Sequence, residues 1–364
     1  MGGGIYIHVP FCIRKCPYCS FYSVKTDEKS MSDYVDKTLY FLNSRKWNFK
    51  ADTIYFGGGT PSVLSPNALV KILKKTKEVF SFEKGEVTLE ANPCTVDYKS
   101  LKILHDGGFN RLSMGFQSGN DDELKMLGRL HDKERAKQAF YDARRAGFEN
   151  ISLDIMMGLA GQSIEAAEKS AEEIMSLNPN HISAYMLKIE KGTEFYNRYK
   201  VTEEFEDNQS DIYMRLCELF EENGYHQYEI SNFSKDGFES RHNTKYWQLD
   251  DYWGIGPSAH SKIGKKRFYM PPSLNDYLNA DKIENLLLYE SESENFEEYV
   301  MLGLRLKSGI NLMKLEKKYP GTSSDFENKM SEFIKYGYAE KHDNVINLTT
   351  KGFLISNYII SEVI

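Results

Sequence analysis

Three of the five cysteines, Cys12, Cys16 and Cys19, fall within eight residues in the spacing C-x3-C-x2-C. Thiolates are soft donors suited to zinc or to iron-sulfur clusters. A structural zinc site takes four ligands, normally in two pairs, and no second C-x2-C pair exists in the chain. His8 is close enough in sequence to be a fourth ligand, so a zinc-binding interaction protein remains one reading. A cubane cluster also takes four. Three thiolates from one loop leave one iron to a substrate or cofactor that coordinates through an amine and a carboxylate. Cys94 and Cys217 have no ligand spacing and are expected to be buried free thiols.

The elements that must hold such a loop are legible. Short apolar runs at Ile5 to Val9, Thr53 to Phe56, Glu86 to Ala91, Arg111 to Phe116, Ile151 to Met157 and His181 to Leu187 read as strands. Helical patterns separate them: Met31 to Asn43, Pro66 to Phe80, Asp97 to His105, Lys133 to Ala146 and Ser163 to Ser176. This alternation predicts an α/β fold with a parallel sheet. Six units, against eight in a closed barrel, predict an incomplete, splayed (β/α)6 barrel of TIM type. Polar or glycine-rich turns follow several strands, among them Gly57-Gly58-Gly59-Thr60, Asn92-Pro93 and Gln117-Ser118-Gly119. Ligands bind at that C-terminal edge of a parallel sheet.

From about Asp207 the pattern changes. A helix from Gln209 to Asn223 precedes a polar, aromatic stretch that reads as loops and short strands lining a site. The expected organisation is a core over residues 1–230, site loops and a linker over 231–290, and a separate unit over 291–364. In that last unit helices Phe296 to Leu306, Leu312 to Lys318 and Asp325 to Tyr336 precede a hairpin, as in a winged helix. The helix from Asp325 is acidic where a DNA-reading helix would be basic, which favours a structural cap or lid.

Composition narrows the class. With 364 residues the chain can bury a large core, and 46 basic against 53 acidic side chains give a net charge of −7. A dedicated nucleic-acid binder would be strongly basic. No window approaches the ~20 apolar residues of a membrane span, and the first residues lack the pattern of a signal peptide. The expected compartment is the cytoplasm, where thiols stay reduced.

The segment Tyr6-Ile-His-Val-Pro-Phe-Cys-Ile-Arg-Lys-Cys-Pro-Tyr-Cys19 resembles the cluster loop of radical S-adenosylmethionine (SAM) enzymes. Within them the chain is similar, over nearly its whole length, to the branch holding oxygen-independent coproporphyrinogen III oxidases and the HemW heme chaperones. That resemblance implies a radical SAM barrel with a HemN-type C-terminal domain. It also implies a 4Fe-4S cluster on Cys12, Cys16 and Cys19 that cleaves SAM reductively to a 5'-deoxyadenosyl radical. It further implies SAM contacts from Tyr6, Tyr18, Gly58, Gly59, Thr60, Glu90, Gln117, Arg129 and Asp154.

Two departures separate the chain from the oxidases. Those enzymes resemble it but carry a further cysteine two positions after the third, where this chain has Phe21, and an arm before the first strand. Conversely, His242-Asn-Thr-Lys-Tyr-Trp247 and the turn before His260 resemble the HemW branch, which implies heme contacts from His242, Asn243, Tyr246 and Trp247. An imidazole can ligate heme iron while flat aromatic rings cover the macrocycle. The expected function is that of a heme chaperone serving apo-hemoproteins such as respiratory-chain subunits, with an electron donor for the cluster and at most peripheral membrane association. Radical decarboxylation of coproporphyrinogen III to protoporphyrinogen IX is the alternative. Homodimerisation and productive SAM cleavage stay open.

Overall fold

The computed structural model describes residues 2–364. Twelve strands form one sheet: β1 (Gly3–Val9), β2 (Ala51–Gly58), β3 (Glu86–Ala91), β4 (Arg111–Gln117), β5 (Asn150–Met157), β6 (His181–Met186), β7 (His226–Glu229), β8 (Asn232–Ser234), β9 (Tyr252–Ile255), β10 (His260–Ile263), β11 (Lys266–Tyr269) and β12 (Leu288–Glu292). Their spatial order is β12-β11-β10-β9-β1-β2-β3-β4-β5-β6-β8-β7. Strands β1 to β6 run parallel, as the βα alternation demands.

A seventh parallel strand was not anticipated. Tyr252–Ile255 lies along the other side of β1, pairing Ile7 with Ile255. It is four residues long, flanked by polar turns and separated from the other parallel strands by more than sixty residues, so no local period announces it. Residues 231–290 therefore do not stand apart as linking loops: they contribute β8 to β12 to the same sheet.

Local chemistry explains the helices. Helix α1 (Glu28–Asn43) is capped by Asp27, and α2 (Pro66–Val79) by Ser65 with proline in its first turn. Helix α3 (Tyr98–Asp106) opens on a reciprocal box between Asp97 and Ser100. Helix α4 (Lys133–Ala146) ends at Gly147 in the left-handed conformation, and α5 (Ile164–Ser176) returns the chain to β6. Their apolar faces cover the outside of the sheet, so Ile5, Ile7, Ile54, Phe56, Leu89, Leu112, Met114 and Leu153 are all fully buried. All seven residues of β4 are buried, as expected of a parallel strand covered on both faces.

The sheet is open between β12 and β7. The C-terminal unit reaches both free ends: the Ile230 amide, just past β7, donates to the Arg305 carbonyl at 3.0 Å, and the Tyr319 hydroxyl donates to the Glu294 carbonyl, just past β12, at 2.7 Å. Within it a three-stranded antiparallel sheet (Ile310–Asn311, Val345–Leu348, Ala339–His342) packs with the helices Leu312–Lys318 and Ser323–Lys335. The predicted hairpin is there. Its apolar residues belong to the same buried cluster as the barrel core, so the unit behaves as a brace on that core.

Candidate functional site

Strand β1 ends at Val9, and the cysteine loop follows directly at the C-terminal edge of the sheet. Phe11–Cys12 forms a short parallel pairing with Val24–Lys25, which closes the loop on itself. The turn after β2 is clamped to the base of this loop: the Gly59 amide donates to the Val9 carbonyl at 2.9 Å and the Thr60 amide to the Phe11 carbonyl at 2.8 Å. Thr60 Oγ1 lies 3.5 Å from Cys12 Sγ.

Two glycines make this approach possible. Gly58 has φ +109°, and a Cβ there would stand 2.6 Å from the His8 ring. A Cβ on Gly59 would meet the Phe11 carbonyl at 2.7 Å. Gly58 and Gly59 are thus required by contact between two backbones and the ring beneath them.

The three thiols are free and half-exposed. Burial raises Cys19, and the charges of Cys16 and Cys12 raise it further, so the three sulfurs are electrostatic neighbours. Arg129 reaches over from the segment before α4. Its Nη1 donates to Cys16 Sγ and to the Tyr18 hydroxyl, each at 3.5 Å, and its Nη2 to the Gly115 carbonyl at 3.2 Å. A guanidinium on a thiolate loop offsets the charge a cluster would bring.

Among the described residues no three His, Cys, Asp or Glu side chains converge on one point as a mononuclear metal site demands. A cubane takes one thiolate per iron at separate corners, so its ligands need not converge. The soft, free, partly exposed donors fit such a cluster, held by Cys12, Cys16 and Cys19, which would supply an electron to a bound cofactor. His8 is not part of this set. Its Nδ1 shares a hydrogen bond with the Tyr6 hydroxyl at 3.1 Å, its Nε2 faces the Tyr22 carbonyl at 3.3 Å, and burial lowers its pKa to about 4.

The other candidates line the interior of the curved sheet. Tyr55 on β2 donates to Glu90 Oε1 on β3 at 2.7 Å, and Ser113 on β4 donates to Asp154 on β5 at 3.1 Å. Burial pushes Glu90 up to about 7 and raises Asp154. Gln117 ends β4 with φ 73°, a left-handed conformation that costs free energy in a non-glycine residue and is found at ligand sites. The fold thus gathers Tyr6, Tyr18, Gly58, Gly59, Thr60, Glu90, Gln117, Arg129 and Asp154 at one edge and its interior. Tyr55, Ser113 and Arg111 escaped the sequence reading. Arg111 and Ser113 share the alternation of Gln117 on their strand, and that period of two was the available signal for them; Tyr55 had none.

Arg111 is 1% exposed, yet its Nε and Nη1 have no hydrogen-bond partner and no carboxylate lies within ion-pair distance among the described residues. Its charge nonetheless pulls both Glu90 and Asp154 back toward ionisation.

Two expectations fail. Cys94 is exposed, not buried, and lines a cleft with Cys16, Thr60 and Arg129; Cys217 is buried as anticipated. His242 is not open to a ligand. It sits on α6 (Arg241–Trp247) at the N-terminal edge of the sheet, the end opposite the cysteines, with no exposed surface. Its Nδ1 pairs with Thr53 Oγ1 and its Nε2 with the Tyr246 hydroxyl, both at 2.8 Å, and its ring stacks on Tyr55. Iron ligation would break one of these bonds, and burial holds its pKa at about 3. Asn243, Tyr246 and Trp247 are half-buried on the same short helix. His242→Ala is expected to cost about 3 kcal/mol, because it leaves two hydroxyls unpaired beside a cavity. A urea titration of the variant measures that loss.

Comparison with known proteins decides the family. Residues 6–174 match the radical SAM superfamily and residues 291–355 the HemN C-terminal domain. The chain is 34% identical to the heme chaperone HemW of Lactococcus lactis, covering 98% of this chain and 96% of that protein, and 35% identical to HemW of Haemophilus influenzae, covering 98% and 96%. The chain belongs to the HemW family of radical SAM proteins. HemW of Bacillus subtilis is similar at 34% identity over 97% of both chains. The solved structure of coproporphyrinogen III oxidase, HemN, from Escherichia coli superposes with a TM-score of 0.84 at 21% identity, covering 100% of this chain and 90% of that one. The radical SAM barrel and its C-terminal domain are thereby established as the fold. The superfamily implies SAM and a 4Fe-4S cluster, in keeping with the cysteine loop. No described helix is long and apolar enough to cross a membrane.

Proposed function

We propose that the chain is a heme chaperone that binds heme, holds a 4Fe-4S cluster on Cys12, Cys16 and Cys19 with SAM against it, and passes heme to apo-hemoproteins. The observation that carries the reading is near-full-length identity to proteins named heme chaperone HemW. In this reading Arg129, Gln117 and the 58–60 turn receive the amino-acid end of SAM, Glu90 accepts from its ribose hydroxyls, and Asp154, Tyr6 and Tyr18 complete the wall. The residues act by binding and orienting; the radical chemistry belongs to the cofactor. Phe21, 69% exposed beside the cysteine loop, stands where a further cysteine would favour the decarboxylase reading.

Titration of the reconstituted protein with hemin is expected to give a saturable Soret shift. Absence of that shift would sink the proposal. The same sample, assayed anaerobically with dithionite, SAM and coproporphyrinogen III, is expected to form no protoporphyrinogen IX, and product formation would establish the oxidase instead.

A further inference from the structure

Heme iron needs an accessible soft or borderline donor, and the eight histidines can be sorted by what their nitrogens already do. His8, His181 and His242 are buried with both ring nitrogens engaged, His181 by Ser152 and Tyr228. His131 is buried with Nε2 on the Phe116 carbonyl. His105 packs edge-on against Phe148 on the helical face of the barrel. His226 lies between Glu221 and Asp236, and His342 beside Glu340 in the C-terminal unit.

His260 differs. It opens β10 just after the turn that follows β9, at the same edge of the sheet as the cysteine loop, close enough to His8 for its charge to be felt there. Its side chain is half exposed. Nδ1 lies 3.1 Å from Glu290 Oε2 on β12. A carboxylate at Nδ1 favours the tautomer with hydrogen on that nitrogen and leaves the Nε2 lone pair without a hydrogen-bond partner among the described residues, the arrangement that metal-binding histidines use. The ring stacks on Tyr269, with centroids 5.9 Å apart and an interplanar angle of 28°, which restrains its rotation. Cross-strand pairing continues the row from His260 to Tyr269 to Leu288, and Leu288 is exposed, so apolar surface continues that row from the imidazole.

We propose that His260 is the axial ligand through which this protein holds heme iron, with Glu290 and Tyr269 as its positioning residues. The proposal rests on the heme-binding reading above and names the donor within it. No bond is made or broken beyond coordination of the Nε2 lone pair to iron.

The test is equilibrium titration of the full chain with hemin, followed at the Soret band, for the wild type, His260→Ala, Glu290→Gln, His242→Asn and the exposed control His226→Ala. His260→Ala is expected to weaken binding by more than ~100-fold and to abolish the Soret position of an imidazole-ligated iron. Glu290→Gln is expected to weaken binding by about tenfold, the usual effect of losing a partner that orients a ligand. His226→Ala and His242→Asn are expected to keep the wild-type Soret position. Because His260 and Glu290 are surface residues, both variants are expected to keep the wild-type urea midpoint. A wild type that binds while His260→Ala keeps its spectrum and affinity would overturn His260 as ligand and leave the chaperone reading standing. A wild type that binds no hemin would overturn both.

Discussion

Replacing Cys12, Cys16 and Cys19 together by alanine is expected to abolish reconstitution: iron and sulfide analysis, near four of each per wild-type chain, falls to background, and the brown absorption band near 400 nm disappears. All three donors lie on one loop, and among the described residues no other set of three His, Cys, Asp or Glu side chains is gathered to replace them. Cys94 shares the adjoining cleft with Cys16 but sits on a short helical turn after β3, so the comparison variant Cys94→Ala is expected to keep its full iron content. Iron retained at wild-type level in the triple variant would remove the cluster from this loop. The fold itself is expected to survive, since the thiols are half-exposed and the loop is anchored by the Gly59 and Thr60 amides on the backbone of residues 9–11.

The second large effect has two opposite signs in one variant. Glu90 titrates at about 7 in the folded chain against 4.5 for an ordinary glutamate, because burial disfavours its charge. A carboxyl raised in this way contributes stability that is fully present below about 4.5 and is lost as the pH rises through about 7. One pKa unit corresponds to about 1.4 kcal/mol, so at pH 8 the ligand-free chain bears a penalty of up to about 3 kcal/mol for ionising Glu90. Glu90→Gln removes it, and the glutamine oxygen can still accept from Tyr55. The variant is expected to be more stable than wild type in urea at pH 8 and indistinguishable from it at pH 4.5. Its affinity for SAM is expected to drop about 10- to 100-fold at pH 8, since a neutral amide accepts more weakly from hydroxyls than a carboxylate. Equal SAM affinity would remove Glu90 from the ribose contact, and lower stability at both pH values would contradict the stated cost of its charge.

These predictions draw on residues that the sequence made visible to very different degrees. The cysteine loop and the 57–60 turn were legible because their function demands residue types that secondary structure alone does not. The six βα units were legible because parallel strands are continuous apolar runs between capped helices. What stayed hidden depends on long-range pairing. Strand β9 is defined by lying against β1, 248 positions away in its register from Gly4 to Tyr252. Tyr55, Ser113 and Arg111 lie within strands that read as core, and only the pairing of neighbouring strands sets Tyr55 beside Glu90 and Ser113 beside Asp154. His242 shows the converse. Its motif was conspicuous, yet whether an imidazole is a ligand or a strut depends on the neighbours at its two nitrogens, and Thr53 lies almost two hundred residues upstream.

The position of β1 between β2 and β9 bears on how the chain is made. Until Tyr252 has left the ribosome, one side of β1 presents unpaired amides and carbonyls beside the cysteine loop. At translation rates of about 5–20 residues per second that edge stays open for roughly 10–50 s. Pairings of such sequence separation also form slowly, and open strand edges recruit other chains. Nascent chains should therefore be most prone to aggregation before residue 252 emerges, and the cysteine loop should meet iron and sulfide on a scaffold that is complete only late in synthesis.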